Sequence, residues 1–116
     1  HLRENGRIVI MFCAFEGAPG IVRLHGHGTV ITKGHAQFNE LAELFPSNPG
    51  TRAIIHIDVG RISGSCGYSV PRYEFLEPRD TLDKWAVNKG ADKLQEYRHE
   101  KNSRSIDDLP GLDGEG

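Results

Sequence analysis

Cysteine is scarce in this chain, with two in 116 residues. Cys13 and Cys66 lack CxxC spacing, so they make neither a disulfide framework nor a metal site. We read both as reduced thiols, a state that suits the cytoplasm. An excess of charge is lacking too. Lys and Arg number 14 against 16 Asp and Glu, a formal net charge of −2, with no basic stripe. That removes an electrostatic case for nucleic acid. No apolar run approaches the ~20 residues that span a bilayer, and no secretory signal is visible. The expected setting is the cytoplasm, away from membrane and nucleic acid. Hydrophobic residues make up 37%, lean but not a disordered composition, and the length fits one domain or part of one.

Motifs of self-contained chemistry are also missing. There is no HExxH, and Gly64-Ser65-Cys66-Gly67 is no Gly-x-Ser-x-Gly elbow. Gly26-x-Gly28 lacks the third glycine and opens no helix, so it fails as a dinucleotide loop. His25, His27 and His56 with Asp58 have the right chemistry for zinc. They fit polar residues on the outer side of half-buried strands better, and no metal is expected. A hydrolytic set of Ser65 with His56 or His25 and Asp58 rests on inventory alone, whereas triads are recognised by geometry.

What is present is a pattern of strands and short helices. Leu2 to Asn5 reads as a helix end, closed by the turn-prone pair Asn5-Gly6. Ile8 to Phe15 is apolar on both faces, which predicts a strand covered on both sides. Gly17-Ala18-Pro19-Gly20 is a turn by composition. Ile21 to Thr32 alternates, with Val22, Leu24, Gly26, Gly28 and Val30 on one face and Arg23, His25, His27 and Thr29 on the other. Its two glycines mark a bend or a close approach of another backbone. The spacing predicts a helix over His35–Phe45, a third strand over Arg52–Ile62, and helices over Thr81–Lys89 and Ala91–Arg104. Asp80 or Thr81 caps the first of these two, Gly90 ends it, and Leu82, Trp85 and Ala86 form its apolar stripe. Asp107 to Gly116 reads as a flexible tail. Three strands cannot close a barrel, and open edges invite pairing with something else.

The segment Ser65-Cys66-Gly67-Tyr68-Ser69-Val70-Pro71-Arg72-Tyr73-Glu74-Phe75, with Asn5–Phe12 and Val22–Gly28, resembles the pyridoxamine 5′-phosphate oxidase-related family of FMN-binding split β-barrels. The resemblance implies a mainly β, α+β fold. Residues 1–106 would be the C-terminal part of a split barrel and 107–116 a tail. It implies a homodimer, with flavin mononucleotide in the cleft between subunits and contacts from Arg23, Ser65 and Tyr68. Arg presents a planar fork of donors to the ring edge, and a cation there stabilises the anionic reduced ring. The family holds the phosphate with donors that precede the position of His1, so FMN should bind this stretch weakly and a longer form tightly. Three departures separate the chain from true pyridoxamine phosphate oxidases. Leu76 follows Glu74-Phe75 where they carry Trp, Pro78–Asp83 has no Arg-x-His, and Ile21 stands where they tend to have Gln. The implied function is a flavin-binding oxidoreductase-like protein with an unidentified small-molecule substrate and no assigned catalytic residue. The alternative is a module of the same fold that holds flavin, deazaflavin or haem without turnover.

Overall fold

The computed structural model describes residues 1–111. Among these the element order is α1 (Leu2–Asn5), β1 (Arg7–Cys13), β2 (Ile21–Thr32), α2 (Phe38–Ala42), β3 (Ala53–Ser65), α3 (Thr81–Lys89) and α4 (Ala91–Asn102). The strands form one antiparallel sheet in the order β1-β2-β3. It is open, with β1 and β3 as edges, and does not close into a barrel. The fold is thus α+β, as the alternation and helical spacing predict.

The chain packs as two compact units, and the first comprises His1–Val30 and Ile55–Pro78. Gly6 caps α1 in the left-handed region, at φ 65°, and its N–H reaches Leu2 O. A side chain is strained there, which explains the glycine. The chain then enters β1, whose register on β2 runs from Arg7 opposite His27 to Cys13 opposite Ile21. The Gly28 N–H donates to Gly6 O at 2.7 Å and the Ala14 N–H to Gly20 O at 2.9 Å, closing both ends of the ladder. The close approach expected at the β2 glycines is present. A Cβ at Gly26 would overlap the Asp58 carbonyl oxygen, and one at Gly28 would lie 3.3 Å from both Ile8 Cγ2 and Ile55 Cγ2.

One expectation for β1 needs correction. It is covered only in part: on one face Ile8 and Ile10 are half-buried but Phe12 is exposed, and on the other Cys13 is half-buried while Val9 and Met11 are exposed. β1 also stops at Cys13 rather than Phe15, because the chain turns there towards Gly20.

The second unit comprises Ile31–Ile54 and the chain from Arg79 onward. The buried hydrophobic side chains among the described residues, Ile31, Phe38, Ala86 and Leu94, all belong to it. Helix α2 is shorter than the predicted His35–Phe45, since its flanks tighten into three-residue turns. His35 N–H bonds Thr32 O, and Phe45 N–H bonds Ala42 O. Phe45 is consequently exposed. Helix α3 has its predicted bounds, and α4 ends two residues early, at Asn102. Asp80 occupies the N-cap of α3 without a side-chain capping bond, and instead ion-pairs with Lys84 at 2.6 Å. Of the predicted stripe only Ala86 is buried. Leu82 is 68% exposed, and Trp85, at 39%, packs edge-on against Tyr97 at 5.3 Å instead of entering a core. The Lys89 ammonium lies 5.1 Å from the Trp85 ring and 4.8 Å from the Tyr97 ring, bracing α3 on α4.

The loop before β3 is tied to both helices. Asn48 Oδ1 accepts from Gly50 N–H and its Nδ2 donates to Asp83, while Arg98 Nη2 donates to Gly50 O at 3.1 Å. Burial, and secondarily the charge of Arg52, holds the Arg98 guanidinium below its usual pKa. Residues 107–111 of the expected tail fold back on the end of α4, with Ser105 N–H to Leu109 O and Gly111 N–H to Ser103 O, both at 2.9 Å. The rest of that tail, 112–116, lies outside the described residues.

Burial predicts sharply different costs for two leucines. Leu94→Ala should lose about 2–5 kcal/mol, the range for emptying a buried leucine site. Leu82→Ala should stay within about 0.5 kcal/mol. Gly26→Ala should cost about 1–3 kcal/mol, because the obstacle is backbone rather than a side chain that can move. Urea unfolding midpoints of the three variants measure all of these.

Candidate functional site

Alternation along β2 puts Arg23 and His25 on one face, two residues apart. Strand β3 runs back beside them and supplies two hydroxyls at the same spacing. Arg23 Nη1 donates to Ser65 Oγ at 2.9 Å. His25 Nε2 and Ser63 Oγ share a hydrogen bond of 3.2 Å. Arg23, His25 and Ser63 are half-buried and Ser65 is exposed. On the other side of β2, Met11 stands opposite Arg23 and Val9 opposite His25. Directly opposed residues share a face, so a cation, an imidazole, two hydroxyls and two apolar side chains lie together.

The turn after β3 is fixed by a second close approach. Gly67 is buried, and a Cβ there would sit 2.5 Å from Gly20 N. Only glycine allows that turn to lie on the β1–β2 connection. Beyond it the chain is strapped to the end of the same hairpin. Tyr73 N–H bonds Phe15 O at 3.1 Å, Phe75 N–H bonds Glu16 Oε1 at 3.1 Å, and the Phe15 and Tyr73 rings are 5.4 Å apart. These contacts give the stretch from Ser65 to Phe75 a defined path despite its lack of regular secondary structure.

Of the residues singled out from sequence, Arg23 and Ser65 are brought into direct contact. Tyr68 follows in the same turn and is 85% exposed, free to meet a ligand or another surface. The hydrolytic set built on Ser65 does not assemble, since that hydroxyl accepts from a guanidinium rather than an imidazole. Among the described residues no three His, Cys, Asp or Glu side chains converge on a metal position. Both cysteines are free thiols, Cys13 half-buried and Cys66 exposed. His25 and Ser63 were not paired by sequence reasoning. The signal that could have found them is the two-residue alternation on both strands, once the β2–β3 register is known.

Arg23 makes no ion pair among the described residues. A hydroxyl partner holds the guanidinium fork without neutralising it, so its charge and remaining donors are available to a ligand. Such a donor set suits the carbonyl- and nitrogen-bearing edge of a flavin ring. Among the described residues no glycine-rich loop opening a helix accompanies it to cradle a phosphate.

Fold and site together define an α+β domain with an open antiparallel sheet and a donor-lined face. No family model matches the chain, and no solved structure matches it. A curated protein does. The pyridoxamine 5′-phosphate oxidase family protein ustO of Aspergillus flavus is 38% identical over 129 aligned residues, which cover 97% of this chain and 51% of that protein. Nearly the whole chain is thus similar to about half of a protein named for the pyridoxamine 5′-phosphate oxidase family, the family that its sequence resembles. It spans about half the length of the curated relative that it matches.

The contacts separate scaffold from ligand groups. Gly67→Ala should lower the thermal midpoint by several degrees, at roughly 4–8 °C per kcal/mol for a domain near this size. Arg23→Ala removes an exposed bond to a neutral hydroxyl, so stability should change by no more than about 0.5 kcal/mol and the midpoint should move much less. Calorimetry on the two variants checks the contrast.

Proposed function

We propose that this chain carries part of the flavin mononucleotide site of a flavin-binding, oxidoreductase-like protein, acting in the cytoplasm on a small-molecule substrate. The observation that carries this reading is the Arg23–Ser65 pair, in a chain related over 97% of its length to a protein named for the pyridoxamine 5′-phosphate oxidase family. A bound flavin supplies the redox chemistry. The chain's own residues hold and orient it. Arg23 offers charged donors to the ring edge, Ser65 fixes the direction of the guanidinium, and Tyr68 presents an exposed aromatic face for stacking. The substrate differs from pyridoxamine phosphate in this reading, because Leu76, Pro78–Asp83 and Ile21 replace the groups that true oxidases use there.

Homodimer formation is part of the same proposal. β1 and β3 leave open edges. Phe12 and Val22, paired in the register, are 55% and 44% exposed. Covering such surface returns roughly 25 cal/mol per Å² of apolar area, and edge pairing satisfies backbone groups that otherwise face water.

Two measurements test the proposal. In a titration followed by flavin fluorescence, FMN should bind saturably. Arg23→Ala should weaken it by about 1–3 kcal/mol, the range for a hydrogen bond from a charged donor. Unchanged affinity in that variant removes Arg23 from the site, and the absence of binding removes the flavin. Light scattering should return twice the chain mass of 12.9 kDa, and a monomer with a folded far-UV spectrum counts against the dimer. Oxidation of a reduced nicotinamide by the loaded protein separates an oxidoreductase from a module that only holds its ligand.

A further inference from the structure

The polar pairs on β2 and β3 are a ladder rather than a single contact. Arg23–Ser65 at 2.9 Å and His25–Ser63 at 3.2 Å lie two residues apart on both strands. β1 continues the same face with Met11 opposite Arg23 and Val9 opposite His25. Those two side chains are 54% and 46% exposed. Three parallel strips result: apolar on β1, cation and imidazole on β2, hydroxyl on β3. With strands roughly 4.8 Å apart, they span about 10 Å.

That combination selects among ligands. An inorganic anion would use the cation and hydroxyls and leave the apolar strip in water. An aliphatic chain would use Val9 and Met11 and leave the donors unsatisfied. A flat heteroaromatic ring uses both, since its face removes apolar side chains from water while its oxygens and nitrogens accept along one edge. Methionine suits the first task, because its flexible, polarizable thioether packs well against aromatic rings. The two serines hold Arg23 and His25 towards that edge without cancelling the guanidinium charge.

Resting on the flavin reading above, we infer that His25 and Ser63 are further positioning residues for the ring, and that Val9 and Met11 take its face. Ring recognition then belongs to this sheet face and is separable from phosphate recognition.

Lumiflavin, the bare ring without ribityl chain or phosphate, is the probe. Met11 is the single methionine, so a carbon-13 methyl label gives one resonance. Titrating lumiflavin into the full chain should move that resonance upfield in a saturable way. His25→Ala and Arg23→Ala should each raise the dissociation constant about tenfold, in keeping with the loss of a hydrogen bond from a ring nitrogen or charged donor. His25→Gln should recover part of the loss, Ser63→Ala should cost less than either, and His56→Ala should leave affinity unchanged. Far-UV spectra establish that each variant folds, and Ser63→Ala and His25→Gln carry the test if His25→Ala does not. Saturable binding with a stationary Met11 resonance overturns the inference, as does unchanged affinity in both His25→Gln and Ser63→Ala. A Met11 shift that follows protein concentration alone assigns the face to a second copy and also overturns it. FMN binding without lumiflavin binding overturns the inference and leaves the flavin reading standing. Binding of neither overturns both.

Discussion

The approach of β3 to β2 at Gly26 is the constraint on which the site depends. Two strands that leave no room for a Cβ can pass only at glycine, and there the Asp58 carbonyl fills the space. A larger residue would push β3 away. Ser63 and Ser65, farther along the same strand, would then lose their partners on β2. Gly67 repeats the device at the other end of the strand, against Gly20. Two missing side chains thus fix β3 at its middle and just beyond its end, and the polar ladder lies between them. The entropic disadvantage of glycine in a strand is offset by contacts that no other residue permits.

Burial is divided unevenly between the two units. The second holds the buried hydrophobic side chains, whereas the first has Ile8, Ile10 and Leu24 only half-buried and leaves Phe12 and Val22 open. The unit that carries the candidate site is therefore held largely by ladder hydrogen bonds, turns and glycine contacts. Such bonds contribute only about 0.5–1.5 kcal/mol each in net terms, and the apolar area still open is what the proposed dimer would cover. A ligand-binding face with unspent apolar area is what a shared, interfacial site requires. An isolated stable monomer would be expected to bury it.

Legibility in the sequence followed the range of the interaction. The bounds of β2 and α3 agree with periodicity and capping because both are local. The left-handed Gly6 and the positive φ of Gly90 agree for the same reason. The ends of α2 were overextended because periodicity does not show where i→i−4 bonding gives way to tighter turns. Leu82 and Trp85 were placed inside because helical spacing identifies a shared face but not what covers it. Arg23 and Ser65 were both singled out, yet 42 residues separate them and nothing local predicts their bond. His25 and Ser63 stayed unpaired for that same reason. The glycines at positions 26 and 28 were the local sign of that register, although they indicate an approach without identifying its partner.

The chemistry of the ladder turns on what Arg23 is not paired with. A carboxylate at Ser65 would bind the guanidinium more strongly, but it would consume two donors and cancel the charge. The pair would then be a strut. A hydroxyl accepts one N–H, fixes the plane of the fork and leaves net positive charge on an otherwise open face. His25 and Ser63 extend the arrangement with groups that both donate and accept, so the ladder can adjust to a ring edge that mixes carbonyl oxygens with N–H. Beside it, Val9 and Met11 offer no competing polar atom. Water can satisfy the unneutralised donors but not the apolar strip beside them, whereas a flat ring with a polar rim would satisfy both, and this difference is the physical basis of the selectivity proposed for the face.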